Sequence, residues 1–310
     1  MKQIEMMQDE HVMATENHQP SVLIIDSFAL LFRGFYAMAM SGNYMKTSSG
    51  LYTNGIYQFT KYMLHAIETF SPTHVVCAFD MGASTFRNEM YGAYKANRDA
   101  PPAELIPQFD KLWELVEAFD IPCIGVKGYE ADDVIGTLAK QYSASGTSVN
   151  ILTGDGDTLQ LINAHTRVSL MKRGFGNYET IDLHNLEESR GIRRPSQIID
   201  LKALMGDASD NIPGCPGVGP KTALKLIAEY DSLDQVYAHI DEIKGKLKER
   251  LIAHREQVYL SYELASIMTD VPLQCELDQC QYSWNQDKLI PKLEEFEFKS
   301  IIRSIMKGIA

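Results

Sequence analysis

Carboxylates stand in this chain where apolar runs end and where helical runs begin, and their spacing suits the binding of a divalent cation. Asp207 and Asp210 lie three apart in Gly206-Asp207-Ala208-Ser209-Asp210, so on one helical turn both carboxylates face the same way. Shortly afterwards Gly217-Val218-Gly219-Pro220-Lys221-Thr222 opens onto a helical run that includes Lys225. Free backbone N–H groups at such a turn can take a phosphate oxygen. Taken singly, the glycines also suit a bare tight turn and the aspartates a helix cap. Side by side, they put metal ligands next to a phosphate cradle.

More acids follow the same habit. Glu130, Asp132 and Asp133 sit in GYEADDV, and Asp155 and Asp157 in LTGDGD. Acids at a helix start ordinarily complement the dipole, at about 0.3 to 1 kcal/mol each. Three in four positions is more than capping needs. Packed together without cations they would push one another's pKa up. Hard ions that prefer oxygen, Mg²⁺ or Mn²⁺, resolve that conflict. Two such ions about 3.5 to 4 Å apart are suited to in-line attack on a phosphodiester.

The elements that must position these groups alternate. Ser21 to Asp26, Val75 to Asp80 and Val149 to Asp155 are short apolar runs ending in aspartate, the pattern of buried parallel strands. A further strand is expected over Pro122 to Val126, and helical patterns cover Tyr52 to Phe70, Pro107 to Phe119 and Asp132 to Tyr142. Such alternation predicts an α/β fold with a mostly parallel central sheet flanked by helices, with Asp26, Asp80 and Asp155 at the carboxyl edge where ligands gather. The expected layout is a disordered polar tail over 1–20, an α/β core over 21–190, and a helical subregion over 191–310. Within the last, helices are expected over KGKLKERL and EEFEFKSIIRSI, with a strand-like stretch from Val271 to Leu277.

Composition narrows the classes. The 310 residues are 45% hydrophobic, enough for a sizeable core, and include no apolar run of membrane-spanning length and no apolar leader segment. A cytoplasmic protein is expected, with no membrane partner. Five cysteines at scattered positions (Cys77, Cys123, Cys215, Cys275, Cys280) read as reduced thiols, not as a disulfide framework or a zinc site. A net charge of −12 argues on its face against nucleic acid. Yet the acids are clustered, and Asn211 to Ala228 carries Lys221 and Lys225 without any acid. His165, His184, His239 and His254 are isolated, and no Ser/His/Asp arrangement is suggested.

From about Ser21 to Lys299 the chain resembles bacterial 5′ nucleases of the flap endonuclease family, the 5′–3′ exonuclease type found at the start of DNA polymerase I. The resemblance rests on VLIIDSFALLFRGFYA, AFDMGASTFRNEMYGAYKANR, GYEADDVIGTLA, LTGDGD and LMGDASDNIPGCPGVGPKTA, in family order. It implies a PIN-like nuclease core with a helical arch around 82–106 and a helix-three-turn-helix at 206–230. The metal ligands it implies are Asp26, Asp80, Glu130, Asp132, Asp133, Asp155, Asp157, Asp207 and Asp210. Arg33, Arg87, Lys95 and Arg98 are implied as cationic groups at the scissile phosphate. Tyr91 and Tyr94 interleave with them and offer faces for an unpaired base. Gly217, Gly219, Lys221, Thr222 and Lys225 are implied to grip duplex DNA, with a potassium ion nearby. The implied activity is divalent-metal-dependent hydrolysis of DNA at 5′ flaps and 5′ ends beside a duplex, by a free-standing monomer. One departure is Gly156, where relatives commonly carry lysine.

Two rivals fit less of the chain. Asp155-Gly156-Asp157-Thr158 matches the nucleophile motif of haloacid-dehalogenase-type phosphatases, but that leaves Asp26, Asp80, Glu130 and the glycine turn unexplained. A DNA-junction binder without turnover gains nothing from concentrating negative charge against DNA.

Overall fold

A computed structural model describes residues 19–307 except 41, 43 and 83. The expected tail over 1–20 therefore lies outside the described residues, Gln19 and Pro20 apart. One six-stranded sheet has the order β3-β2-β1-β4-β5-β6. Its strands are β1 (Ser21–Asp26), β2 (His74–Ala78), β3 (Cys123–Ile124), β4 (Ser148–Thr153), β5 (Thr166–Met171) and β6 (Tyr178–Ile181). The first five run parallel and β6 pairs antiparallel with β5.

Side-chain alternation explains the layers. Val22 and Ile24 of β1 face one side of the sheet and pack with α5 (Ala131–Ala144). Leu23 and Ile25 face the other side, against α1 (Ser27–Ala39), α2 (Asn54–Phe70) and α4 (Ile106–Ala118). Both faces are covered, which is why these strands read as continuous apolar runs. Between α2 and α4 lies the short α3 (Phe86–Met90).

After β6 the chain becomes helical. It runs through α6 (Leu186–Arg190), α7 (Gln197–Met205), α8 (Pro220–Tyr230), α9 (Leu233–Ala238), α10 (Gly245–Ala253) and α11 (Arg255–Ala265). Helices α7 to α11 share the α5-side core. Then α12 (Gln286–Glu295) and α13 (Lys299–Met306) cross back and bury Leu289, Leu293, Phe296, Ile301 and Ile305 against the α2 and α4 side. The residues after 191 thus do not stay in one helical subregion.

Three local expectations differ from the structure. Strand β3 keeps only two residues of the expected Pro122 to Val126. Val271 to Leu277 is not a strand: the Val271 N–H donates to Thr137 Oγ1 at 3.1 Å and the Cys275 carbonyl accepts from Tyr142 at 2.9 Å. Side chains of α5 hold that stretch in place of a ladder, and Pro272 has no N–H to offer one. Among the described residues of the arch region 82–106, α3 is the one helix ahead of Ile106, where α4 begins, and turns follow it through Asn97. The five cysteines are free, and no helix among the described residues is long and apolar enough to cross a membrane.

Candidate active site

The carboxyl edge of the sheet collects the acids, as strand ends must in a parallel layer. Asp26 closes β1 and caps α1, accepting from Ala29 N–H at 3.1 Å and from Thr153 Oγ1 at 2.7 Å. Burial pushes its carboxyl up to about 7 against those hydrogen bonds, and Asp80 and Asp155 push the same way. Asp80, two residues past β2, accepts from the Ala131 N–H at 2.9 Å, and burial followed by the charge of Glu130 raises its pKa. Asp132 on α5 is raised well above the usual carboxylate range, first by burial and then by Asp155 and Asp26. Asp155 caps the 3-10 turn Gly156–Leu161 that follows β4, accepting from the N–H of Asp157, which is presented in the first turn.

The last two acids come from the helical part. Residues 206–212 are a turn closed by pairing of Asp207 with Ile212, not the helical turn expected from the spacing. Two glycines make it possible. Gly206 and Gly214 have φ of 73° and 61°, and a Cβ on Gly214 would lie 2.1 Å from Gly206 N. Backbone meets backbone there, so no side chain fits. The turn brings Asp207 and Asp210 to Asp157, with carboxylate oxygens of all three within 4.8 Å of one another.

Cations are interleaved with these acids. Lys95 Nζ is 2.8 Å from Glu130 and 3.8 Å from Asp210, and Arg98 Nη2 is 2.5 Å from Asp210. The 93–98 segment is strapped to the acid-bearing turn by main chain as well. Lys95 N–H donates to the Asp210 carbonyl at 2.9 Å, Asn97 to the Ala208 carbonyl at 2.7 Å, and Asn211 to the Ala93 carbonyl at 2.6 Å. Lys202 of α7 bridges Asp157 and Asp207. Burial opposes ionisation of Asp207, but Lys202 and the hydroxyl and N–H of Ser209 outweigh it and hold the carboxyl down at about 2. Asp157 goes the other way, up to about 7 through burial and the charge of Asp155.

Several sequence-level assignments need correction. Asp133 is fully buried, and its carboxylate accepts from Arg87 at 2.8 and 2.7 Å, from Glu130 N–H at 3.1 Å and from Met268 N–H at 2.9 Å. Its lone pairs are spent on protein, so it is a structural anchor and not a ligand. Arg87, 2% exposed, also donates to the carbonyls of Leu264 and Ser266 and cannot reach a phosphate. Tyr94 is 3% exposed with its hydroxyl 3.1 Å from Glu130, which leaves no face for a base. Tyr91 is half-buried against the cluster of Tyr94, Ile212, Leu264 and Ala265. Arg33 donates to the Lys172 carbonyl, beside the edge of β5, in place of an acid of the cluster.

The glycine turn is separate and outward-facing. Gly217, Gly219, Lys221 and Lys225 are exposed and Thr222 is half-buried at the start of α8, where Pro220 occupies the first helical position. Sequence reasoning missed Lys202 and Thr153. The available signals were a lone lysine in Ile198-Ile199-Asp200-Leu201-Lys202-Ala203-Leu204-Met205, five residues ahead of Asp207, and a hydroxyl next to the Gly154-Asp155 strand end.

The donor set fits hard divalent cations. It is made of carboxylate oxygens alone, and oxygens mutually within 4.8 Å can share one ion at the ~2.0 to 2.6 Å typical of Mg²⁺ and Ca²⁺. Asp26, Asp132 and Asp157 are held toward their neutral forms by burial and by neighbouring carboxylates, Asp155 among them in each case, a cost that bound cations remove.

Fold and acids together define a nuclease-like α/β layer with an appended helical unit, and comparisons with known proteins give its family. Residues 21–191 match the 5′-3′ exonuclease N-terminal resolvase-like domain and residues 193–288 the 5′-3′ exonuclease C-terminal SAM fold. The chain belongs to the 5′-3′ exonuclease family. It is 42% identical over 290 residues to a 5′-3′ exonuclease of Bacillus subtilis strain 168, covering 92% of this chain and 96% of that protein. It is 40% identical over 286 residues to DNA polymerase I of Bacillus caldotenax, of which it spans 32% of the length. Among solved structures, T5 5′-exonuclease with bound zinc ions has a TM-score of 0.63 at 25% identity, covering 89% of this chain and 98% of that one. The catalytic core of Rad2 in complex with DNA shares the fold, with a TM-score of 0.57 at 18% identity over 90% of this chain and 87% of that one.

Proposed function

We propose that the protein is a structure-specific 5′ nuclease that hydrolyses DNA phosphodiesters at 5′ flaps and 5′ ends beside a duplex, in replication and repair. The observation that carries this is the gathering of Asp26, Asp80, Glu130, Asp132, Asp155 and Asp157 at the sheet edge with Asp207 and Asp210 from the helical part brought against them, interleaved with Lys95, Arg98 and Lys202. Divalent ions held there, Mg²⁺ or Mn²⁺, supply Lewis-acid chemistry for water and phosphate.

The chain's own residues do the rest. Lys95 and Arg98 hold positive charge where a phosphate would gain negative charge during attack. Thr153 and the Ala29 N–H keep Asp26 oriented, and Ser209 does the same for Asp207. Gly217, Gly219, Lys221, Thr222 and Lys225 take the backbone of the duplex, with a potassium ion at that turn. Because these contacts are to phosphates, selectivity is for shape and not for base sequence. The protein acts as a monomer in the cytoplasm.

The test is to incubate the protein with a 5′-labelled flap substrate, with Mg²⁺ and with chelator, and to size the products. Cuts centred on the junction that vanish with chelator are expected. Cleavage of small phosphate esters with no cut in the flap DNA would overturn the assignment.

A further inference from the structure

Lys202 is an unusual neighbour for a set of metal ligands. Its side chain is 13% exposed, and it rises from α7 between Leu201 and Ala203 into the space shared by Asp157 and Asp207. The ammonium touches Asp157 and lies 2.5 Å from Asp207. The same two carboxylates, with Asp210, have oxygens within 4.8 Å of one another, which is the span of a single ion's coordination shell. The lysine nitrogen therefore stands among the very oxygens that an ion would bridge. Burial works against its charge, and the two aspartates more than restore it.

Asp207 does not depend on Lys202 for its position. Its other oxygen accepts from the Ser209 N–H at 2.8 Å and from Ser209 Oγ at 2.6 Å, so the carboxylate stays in place if the ammonium leaves. The cations on the far side, Lys95 and Arg98, are paired with Glu130 and Asp210. They do not meet Asp157 or Asp207 among the contacts of the described residues. Lys202 is thus the neutralising group for this half of the cluster.

We propose that Lys202 is an internal occupant of one cation position: its ammonium and a divalent ion bridging Asp157, Asp207 and Asp210 exclude one another. The position loads only as the lysine withdraws on its flexible four-carbon stem. Apparent ion affinity at this position is then reduced by the fraction of molecules in which the lysine is withdrawn. In the ion-free protein the same ammonium keeps the aspartates from repelling one another. Lys202 is a positioning residue here, acting on ion occupancy. The inference rests on the cluster holding divalent ions, as argued under the proposed function.

The test uses the full chain without DNA. Mn²⁺ binding is titrated by electron paramagnetic resonance on the wild type and on Lys202→Met, which keeps an unbranched stem and removes the charge. The weaker of the bound ions should bind about tenfold or more tightly in Lys202→Met, and Lys202→Arg should stay near the wild type. A second measurement needs no variant: reductive methylation of the wild type, mapped by mass spectrometry, should label Lys202 more strongly at saturating Mg²⁺ than in chelator. Unchanged or weaker ion binding in Lys202→Met, or Lys202 labelling that does not rise with Mg²⁺, overturns the proposal. Absence of Mn²⁺ binding in every protein would overturn the metal-centre assignment itself, a different result from binding that ignores Lys202.

Discussion

Lys95 and Asp210 are joined twice: the Lys95 N–H donates to the Asp210 carbonyl at 2.9 Å, and the Lys95 ammonium stands 3.8 Å from the Asp210 carboxylate while reaching Glu130 at 2.8 Å. Lys95 holds a φ of 55°, a left-handed conformation that costs a non-glycine residue on the order of 1 kcal/mol. Main chain from the acid-bearing turn fixes it there. The ammonium is thereby aimed into the cluster from a turn and not from a helix.

Lys95→Ala is expected to lower the single-turnover cleavage rate by about a hundredfold or more, in line with loss of one charge-stabilising donor. Affinity for flap DNA, read by fluorescence anisotropy, should change only a few-fold, and Lys95→Arg should recover part of the rate. Equal losses in rate and in affinity would make Lys95 an ordinary anchor.

Arg87 and Asp133 form a buried bidentate pair that ties α3 to α5 and to the end of α11. Removing one partner leaves the other charged and unpaired in the core. Arg87→Ala should therefore cost about 3 to 5 kcal/mol in urea unfolding. A variant that stays as stable as the wild type while losing cleavage would return Arg87 to the scissile phosphate.

Gly219 offers a substitution that touches only a bound molecule. Its φ of −100° suits any residue, and a Cβ there meets nothing within 4 Å. Gly219→Val should melt near the wild-type temperature yet bind every duplex-bearing substrate more weakly by a similar factor. Loss confined to some sequences would refute backbone gripping. Gly214→Ala is the contrast, since its Cβ collides with Gly206 and should wreck the turn that carries Asp207 and Asp210.

Asp200 provides a pH signature away from the acid cluster. It sits in the first turn of α7, accepts the Leu233 N–H at the start of α9 at 3.1 Å, and burial pushes its carboxyl up to about 6. An unfolded aspartate titrates near ~4, so between about 4 and 6 the folded state binds more proton, and stability falls as pH rises through that window. Asp200→Asn keeps the acceptor for Leu233 and removes the titration. Its stability relative to wild type should improve by about 1 to 3 kcal/mol between pH 4 and 7, measured by urea unfolding. Parallel stability curves for the two proteins would exclude the effect.

The strands were legible because both sheet faces are buried, so Ser21 to Asp26 is continuous apolar sequence with an acid at its end. The acids of the sheet edge could be read for the same reason. What spacing concealed was use of the side chain. Asp132 and Asp133 are adjacent in sequence, but α5 turns the first toward Asp155 and Asp26 and the second into Arg87. Asp207 and Asp210 suggested a helix because three residues make nearly a turn, yet Gly206 and Gly214 force a tighter path. Lys202 was hidden because one partner, Asp157, comes from just past the end of β4 and the other, Asp207, is reached only through the turn that follows α7. Val271 to Leu277 looked like a strand by composition, but its polar main chain is satisfied by α5 side chains, which local sequence cannot reveal.

The turn that carries Asp207 and Asp210 also sets the order of events in synthesis. The sheet is complete once β6 has been made, but Lys202, Asp207 and Asp210 are encoded after it. A chain that stops at β6 carries Asp26, Asp132, Asp155 and Asp157 but lacks Asp207 and Asp210, and its Arg98 is without the Asp210 carboxylate it pairs with in the full chain. A fragment that ends before α7 is therefore expected not to cut, because three of the groups that complete the cluster have not yet been added.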